Sequence, residues 1–285
     1  MVTRFFQKAA ARLPVIKLSL FLAAVLAAAS WLFLFTSEGA DLPALYSGQN
    51  VQHTMDFLTE LAGIEQENPA FLSAESWKHA LSLTFDTLIM SIMAIGFAVI
   101  VVVLTVIPAV KTSSAGFLSI SKKGYGLFLF WAVRLFYVFS RAVPELLWAM
   151  LIIFILMPGI LPGAIALAIH NLGILGKLCA EVIEDMDGRP LQALEMSGAS
   201  KAQLLIYGVI PLVFPKFITY ILYRWEVIVR TTVIVGFVGA GGLGREFKLS
   251  MSWFHYTEVA LYLICYVGLV FLADLISEGL RKAAE

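Results

Sequence analysis

The chain has 285 residues, is 60% hydrophobic and 14% charged, and has no formal net charge at pH 7. Soluble domains hold about 25% charged residues, so this deficit, with a mean hydropathy of +0.88, makes lipid the main solvent and excludes an ordinary water-soluble enzyme. A neutral chain has no global field to attract nucleic acid, and Cys179 and Cys265, far apart in apolar runs, read as buried free thiols.

A membrane-crossing helix needs about 20 mainly apolar residues. In chain order the sequence predicts an all-α integral membrane protein with six such spans, roughly 17–36, 80–110, 125–157, 164–186, 207–236 and 257–279. The first follows a basic leader (Arg4, Lys8, Arg12, Lys17), but its apolar run continues through Trp31 to Phe35. That is too long for a cleaved signal, so a retained helix is expected. Residues 1–79 are read as this helix plus an acidic outer segment, and 80–285 as the transmembrane domain. The segment Ser37–His79 holds Glu38, Asp41, Asp56, Glu60, Glu65, Glu67 and Glu75 against one lysine. Its Met55, Phe57, Leu58 and Leu61 suit a short amphipathic helix on the membrane surface; a docking surface for an external protein is the sharper reading. Gly124–Gly163 is too long for one straight span. It carries Arg134, Arg141, Pro144 and Glu145, so a helix broken near Pro144 is expected, ending in a turn at Pro158–Gly163, with the next helix from about Ala164.

The loop at about 187–206 is the most informative stretch. A polar helical run meets Gly198, a second short helical run follows, and Pro211 closes it where a long apolar span begins. Orientation follows from the basic residues. With the N-terminus inside, inner segments hold Arg4, Lys8, Arg12, Lys17, Lys111, Lys122, Lys123, Arg189, Lys201, Arg281 and Lys282; outer ones hold Lys78, Arg245 and Lys248. Both termini and the Gly198 loop are thus expected on the cytoplasmic side.

Catalytic motifs are lacking. No G-x-x-x-x-G-K-[ST] occurs; Gly173-Ile174-Leu175-Gly176-Lys177 has the wrong spacing, and Leu178 replaces the hydroxyl that would hold magnesium. The chain is therefore expected to bind no nucleotide through a P-loop. Gly239, Gly241 and Gly244 match G-x-G-x-x-G, but they follow a long apolar helix rather than a strand. With Gly242 they suit a tight turn at the outer end of a helix, against a pathway or a symmetry mate. His53, His79, His170 and His255 are scattered, and no metal site is expected.

Charges within the spans must face protein, water or each other. Lys177 and Glu181, and Glu226 and Arg230, are four apart and share a helix face. Arg134 and Arg141 also share one, with Glu145 the nearest acid. Arg134, Arg141, Glu145, Arg224, Glu226 and Arg230 are the candidate pathway residues, Arg141 foremost.

The loop resembles the coupling loop of ABC-importer permeases. Gln192-Ala193-Leu194 stands at the position of that family's Glu-Ala-Ala triplet, with Gln192 in place of the usual Glu; Gly198 and Ile210-Pro211 complete the pattern. The resemblance extends to Arg141-Ala142-Val143-Pro144, Gly176-Lys177-Leu178-Cys179-Ala180-Glu181, Leu222-Tyr223-Arg224-Trp225-Glu226 and Gly236–Gly244. These narrow it to the phosphonate branch, which includes phosphite and hypophosphite permeases. It covers roughly Leu81–Leu280. It implies a type I importer fold with a cytoplasmic coupling helix, in the bacterial inner membrane. Two ATPase subunits, which bind the ATP and Mg, would dock at Gln192, Ala193, Glu195, Gly198, Ala199, Ser200 and Pro211. A second permease, identical or similar, would complete the pore, and a periplasmic binding protein would deliver the anion. A stand-alone anion transporter or channel, and an importer of another solute such as an amino acid, are the alternatives.

Overall fold

A computed structural model of the chain describes residues 2–37, 46–64, 66–111 and 125–284. The expected inner loop at 112–124, and residues 38–45 and 65 of the acidic stretch, lie outside them. All regular structure among the described residues is helical. The solvent dictates this: hydrocarbon offers no partner to backbone N–H and C=O groups, and a helix satisfies them within one segment.

The chain divides after Glu60. Before the division stand α1 (Val2–Thr36) and all but the last residue of α2 (Gly48–Leu61). In α1, Val15–Thr36 has a mean hydropathy of 2.3 and no buried residue. α2 falls where Met55, Phe57, Leu58 and Leu61 predict an amphipathic helix, and none of its residues is buried.

The second unit holds α3 (Ala74–Ala109), α4 (Tyr125–Ala142), α5 (Glu145–Leu156), α6 (Ile160–Glu184), α7 (Arg189–Met196), α8 (Ile210–Val235), α9 (Gly242–Ser252) and α10 (Tyr256–Ala284). Among the described residues, five helical stretches are long and apolar enough to cross a membrane, and α4 with α5 forms a sixth if the bent pair is one span. α6 is the hub. Its apolar window is 67% buried, against 33% or less in the other crossing helices, and it packs against α3, α4, α5 and α8.

Small residues let α4 approach α6 closely. A Cβ on Gly173 would stand 2.6 Å from the Tyr137 carbonyl oxygen, and one on Gly176 would collide with the Tyr137 ring. The sequence that superficially resembles a nucleotide loop is thus the middle of a buried helix, and its glycines are seats for Tyr137. The phenol is in turn 2.6 Å from the Thr105 hydroxyl on α3.

Pro211 does not end the short helical run after Gly198, as the sequence predicts. Helical structure continues from Lys201 through Ala240. Leu204–Val209 widens into π-type turns, in which the Ile210 N–H reaches back to the Leu205 carbonyl. One widened turn accommodates the donor that Pro211 lacks without stopping the helix. α8 then runs into the glycine segment. Gly239, Gly241 and Gly242 have φ of 108°, 89° and 64°, and the Thr87 hydroxyl of α3 accepts from the Leu243 N–H at 2.9 Å. Gly244 lies so close to the Val233 carbonyl that any Cβ would collide with it.

Candidate functional site

The first candidate region is the break between α4 and α5, where the two axes meet at 94°. The cause is local. Pro144 cannot donate to the Ser140 carbonyl, so the helix loses a bond there. The Trp148 indole N–H takes that carbonyl instead, at 2.9 Å. The Leu147 N–H turns to the Pro144 carbonyl, and His170 Nδ1 lies 2.9 Å from the Val143 carbonyl. A carbonyl only accepts, so this ring nitrogen carries the proton. Side chains of α5 and α6 thus satisfy these two carbonyls directly.

Around the break the chain gathers a polar cluster. His170 Nε2 faces Glu145 Oε2 at 3.5 Å. The next residue on α6, Asn171, is fully buried. Its Nδ2 donates to the Leu167 carbonyl at 2.8 Å, and its Oδ1 accepts from Arg224 Nε at 3.0 Å and from Arg224 Nη2. The Arg224 guanidinium also lies within electrostatic reach of Glu145. The Arg141 backbone sits against Gly173. Asn171 lies near the midpoint of α6 (Ile160–Glu184), roughly 17–20 Å from either end at about 1.5 Å per residue. A charge at that depth costs about 2.5–3.5 kcal/mol on insertion scales and must face protein or water.

The other candidate arginines are placed differently. Arg134 meets Glu184 at 2.5 Å and donates to the Ala109 carbonyl at 2.8 Å. It thus binds the C-terminal ends of α3 and α6, where a cation is favoured; Glu184, not Glu145, is its acid. Glu226 and Arg230 do not pair with each other. Arg230 pairs with Asp274 at 2.7 Å and Glu226 with Arg281 at 2.7 Å, two rungs between α8 and α10. The four-residue spacing puts both on one face, but α10 offers each a better partner. Lys177 and Glu181 do pair along α6, at 3.4 Å. Among the described residues, Arg141 and Arg224 are the arginines within the crossing helices that have no carboxylate within 4 Å. His170 and Asn171 were absent from the predicted site. The available signal was a His-Asn pair in the middle of an otherwise apolar helix.

The second region is the loop between α6 and α8. α7 ends in a Schellman turn: the Gly198 N–H bonds the Glu195 carbonyl and the Ala199 N–H the Leu194 carbonyl, with Gly198 at φ 85°. That conformation suits glycine. Ser200 then starts the next helical run with a capping box. Its N–H donates to Gln203 Oε1 at 2.7 Å, and its Oγ accepts from the Gln203 N–H at 3.4 Å. Leu191 is buried against Gly208, which fixes α7 to the widened turns before Pro211. The outer face is bare: Gln192, Ala193, Glu195, Gly198 and Ser200 are exposed and Ala199 is half-buried. Met196 is 90% exposed and Tyr207 70%. At the entry to α7, the Arg189 guanidinium holds the Asp187 carboxyl below the usual range; both are exposed, so the pair adds little stability.

The family model for the inner membrane component of binding-protein-dependent transport systems matches residues 112–285. The chain belongs to this family. It is a multi-pass inner membrane permease component, and its solved structural neighbours are chains of ABC transporters. A phosphite transport system permease protein of Stutzerimonas stutzeri is 35% identical over 225 residues, 79% of this chain and 77% of its own. A putative phosphite transport system permease protein of the same organism is 40% identical over 141 residues, 50% of this chain and 54% of its own. A putative cryptic phosphonate transport system permease protein of Escherichia coli is 37% identical over 118 residues, 41% of this chain and 97% of its own. Among solved structures, an inward-facing form of the MetNI methionine ABC transporter superposes with a TM-score of 0.63 at 17% identity, covering 75% of this chain and 99% of that one. An amino acid ABC transporter follows at 0.58 and 16%, covering 74% and 98%. At those identities the likeness speaks to the fold alone.

Proposed function

We propose that this permease carries a small phosphorus oxyanion (phosphonate, phosphite or hypophosphite) across the inner membrane as part of an ATP-driven importer. The observation that carries this reading is the 35% identity to a phosphite transport permease over most of both chains. The arginines near mid-membrane without a carboxylate partner support it physically, because an anion crossing a low-dielectric region needs donors that are not already neutralised. The fold likeness to methionine and amino acid transporters does not favour those substrates, since one fold serves many ligands.

The partners follow from the same reading. Two ATPase subunits, holding ATP and Mg, dock against the exposed face around Gln192, Ala193, Glu195 and Gly198–Ser200, with Pro211 closing the segment. The bare Tyr207 fits this: it lines one cleft with Leu194, Gly198 and Ala199, and exposed apolar groups in contiguous patches mark contact surfaces. A second permease completes the pore, and a periplasmic binding protein delivers the anion. Both termini lie in the cytoplasm, and the turn at Gly239, Gly241, Gly242 and Gly244 lies on the outer side. ATP binding closes the ATPases, moves the loop and opens the permease outward; hydrolysis resets it.

The test is uptake by the complete complex in proteoliposomes, with binding protein outside and ATP inside. Radiolabelled phosphite or methylphosphonate should accumulate and methionine should not. ATP-dependent accumulation of methionine alone would overturn the substrate reading.

A further inference from the structure

The arginines of the bundle whose side-chain partners are seen fall into two kinds. Arg134, Arg230 and Arg281 each end on a carboxylate, Glu184, Asp274 and Glu226 respectively. Arg224 instead ends on a neutral amide, the Oδ1 of Asn171. That amide cannot turn over cheaply, because its Nδ2 is committed to the Leu167 carbonyl and the residue is fully buried. Its oxygen is therefore fixed toward Arg224. A guanidinium has five N–H donors. Asn171 takes the Nε–H and one on Nη2, and the others have no partner among the described residues. The nearest acid, Glu145, lies 3.5 Å from His170 Nε2 and is not within 4 Å of the guanidinium. The result is an oriented donor fork near the midpoint of the crossing helices, with no carboxylate of the described residues in contact with it.

From this geometry we propose that Arg224 is the residue that contacts the transported oxyanion inside the membrane, and that Asn171 is the positioning residue that aims its fork. The inference rests on the substrate reading above and deepens it. A planar fork matches two oxygens of a tetrahedral oxyanion, which an ammonium does not. A neutral holder suits a passage site: it orients the arginine without cancelling its charge. Glu145 nearby keeps the anion from being held too tightly, and conduction requires that it leave again. The Arg141 backbone lies against Gly173, two residues along α6, so that residue starts from the same level of the bundle.

The informative variant is Asn171→Asp. It is close to isosteric, and it gives Arg224 the carboxylate partner that the other three arginines have. If Arg224 only joins α8 to α6, the change leaves transport alone: losing the amide's bond to the Leu167 carbonyl lowers the yield at most, and the complex that assembles transports at the wild-type rate per molecule. If Arg224 contacts the anion, the new carboxylate neutralises the fork and repels the substrate, and assembly survives while uptake falls about tenfold or more. Arg224→Lys should keep the charge, lose the fork and fall between wild type and Arg224→Gln. The probes are radiolabelled phosphite, hypophosphite and methylphosphonate, with the complete complex in proteoliposomes. Wild-type uptake that Asn171→Asp leaves intact overturns the inference alone. Failure of both Asn171→Asp and Arg224→Lys to assemble also overturns it, by making the pair structural. A wild-type complex that moves none of the three anions overturns the substrate reading, and this inference with it.

Discussion

At the scale of single residues, Gly198 shows how geometry sharpens a sequence argument. The motif places a glycine in the turn, and among the described residues nothing lies within 4 Å of where its Cβ would stand. What it requires is φ of 85°, which Asn and Asp tolerate better than other side chains do. Asn and Asp have nearly the same shape, so Gly198→Asn and Gly198→Asp separate local conformation from contact with a partner. Both should reach the membrane at near wild-type level. Uptake should survive in the Asn variant and be lost in the Asp variant, where a charge enters a docked surface. Normal uptake by the Asp variant would remove the docking role. The same scale shows where sequence runs out. Arg141, Arg224 and Glu145 were legible as charges in apolar runs. His170 and Asn171 were not, because one imidazole or amide in a helix is ordinary until something is seen bonded to it. Pairing of Glu226 with Arg230 was inferred from spacing and is wrong, because no periodicity within α8 reveals a partner on α10.

At the scale of elements, Pro144 announced the break, but neither its angle nor its repair could be read in advance. The repair rests on Trp148. Its indole N–H serves the carbonyl that proline leaves free, so Trp148→Phe keeps most of the ring and orphans that group. A buried unsatisfied polar group costs about 1–3 kcal/mol, and the purified complex should lose thermal stability by an amount in that range. An unchanged melting temperature would show that water replaces the indole. The α8–α10 ladder offers a second test. Arg230→Asp alone places two carboxylates together and should lower the yield of the assembled complex. Arg230→Asp with Asp274→Arg restores the pair and should recover much of it. Both side chains are more than two-fifths exposed, so the recovery should weaken in high salt. Failure of the double variant to recover would mean that each side chain has a role besides the pairing. Pro211 marks the opposite lesson: proline is a strong stop signal, yet a widened turn carried the helix through it.

At the scale of the whole molecule, composition alone established the solvent, and runs of apolar residues located the crossing helices to within a few residues at most ends. α6 starts at Ile160 rather than near Ala164, because Pro162 sits in the first turn, where a missing N–H costs nothing. The family was legible from the loop and the glycine run, since both are backbone devices that require particular residues at particular offsets. Which side of the membrane each segment occupies is still an argument from charge, and the structure supplies better places to test it. Gln66, in the expected outer segment, accepts from the Thr257 hydroxyl at 3.0 Å and is a poor labelling site. Asn68 is exposed nearby, and Ser197 is exposed in the loop after α7. The two native thiols, Cys179 and Cys265, are buried and can be removed to leave a silent background. In intact spheroplasts, Asn68→Cys should react with an impermeant maleimide, whereas Ser197→Cys should react only after the membrane is opened. Ser197→Cys should also lose reactivity when the ATPase is co-expressed, because a docked subunit covers that face. Labelling of Ser197→Cys from outside would reverse the orientation and leave the ATPase no loop to reach, so this one pattern tests the topology and the coupling reading together.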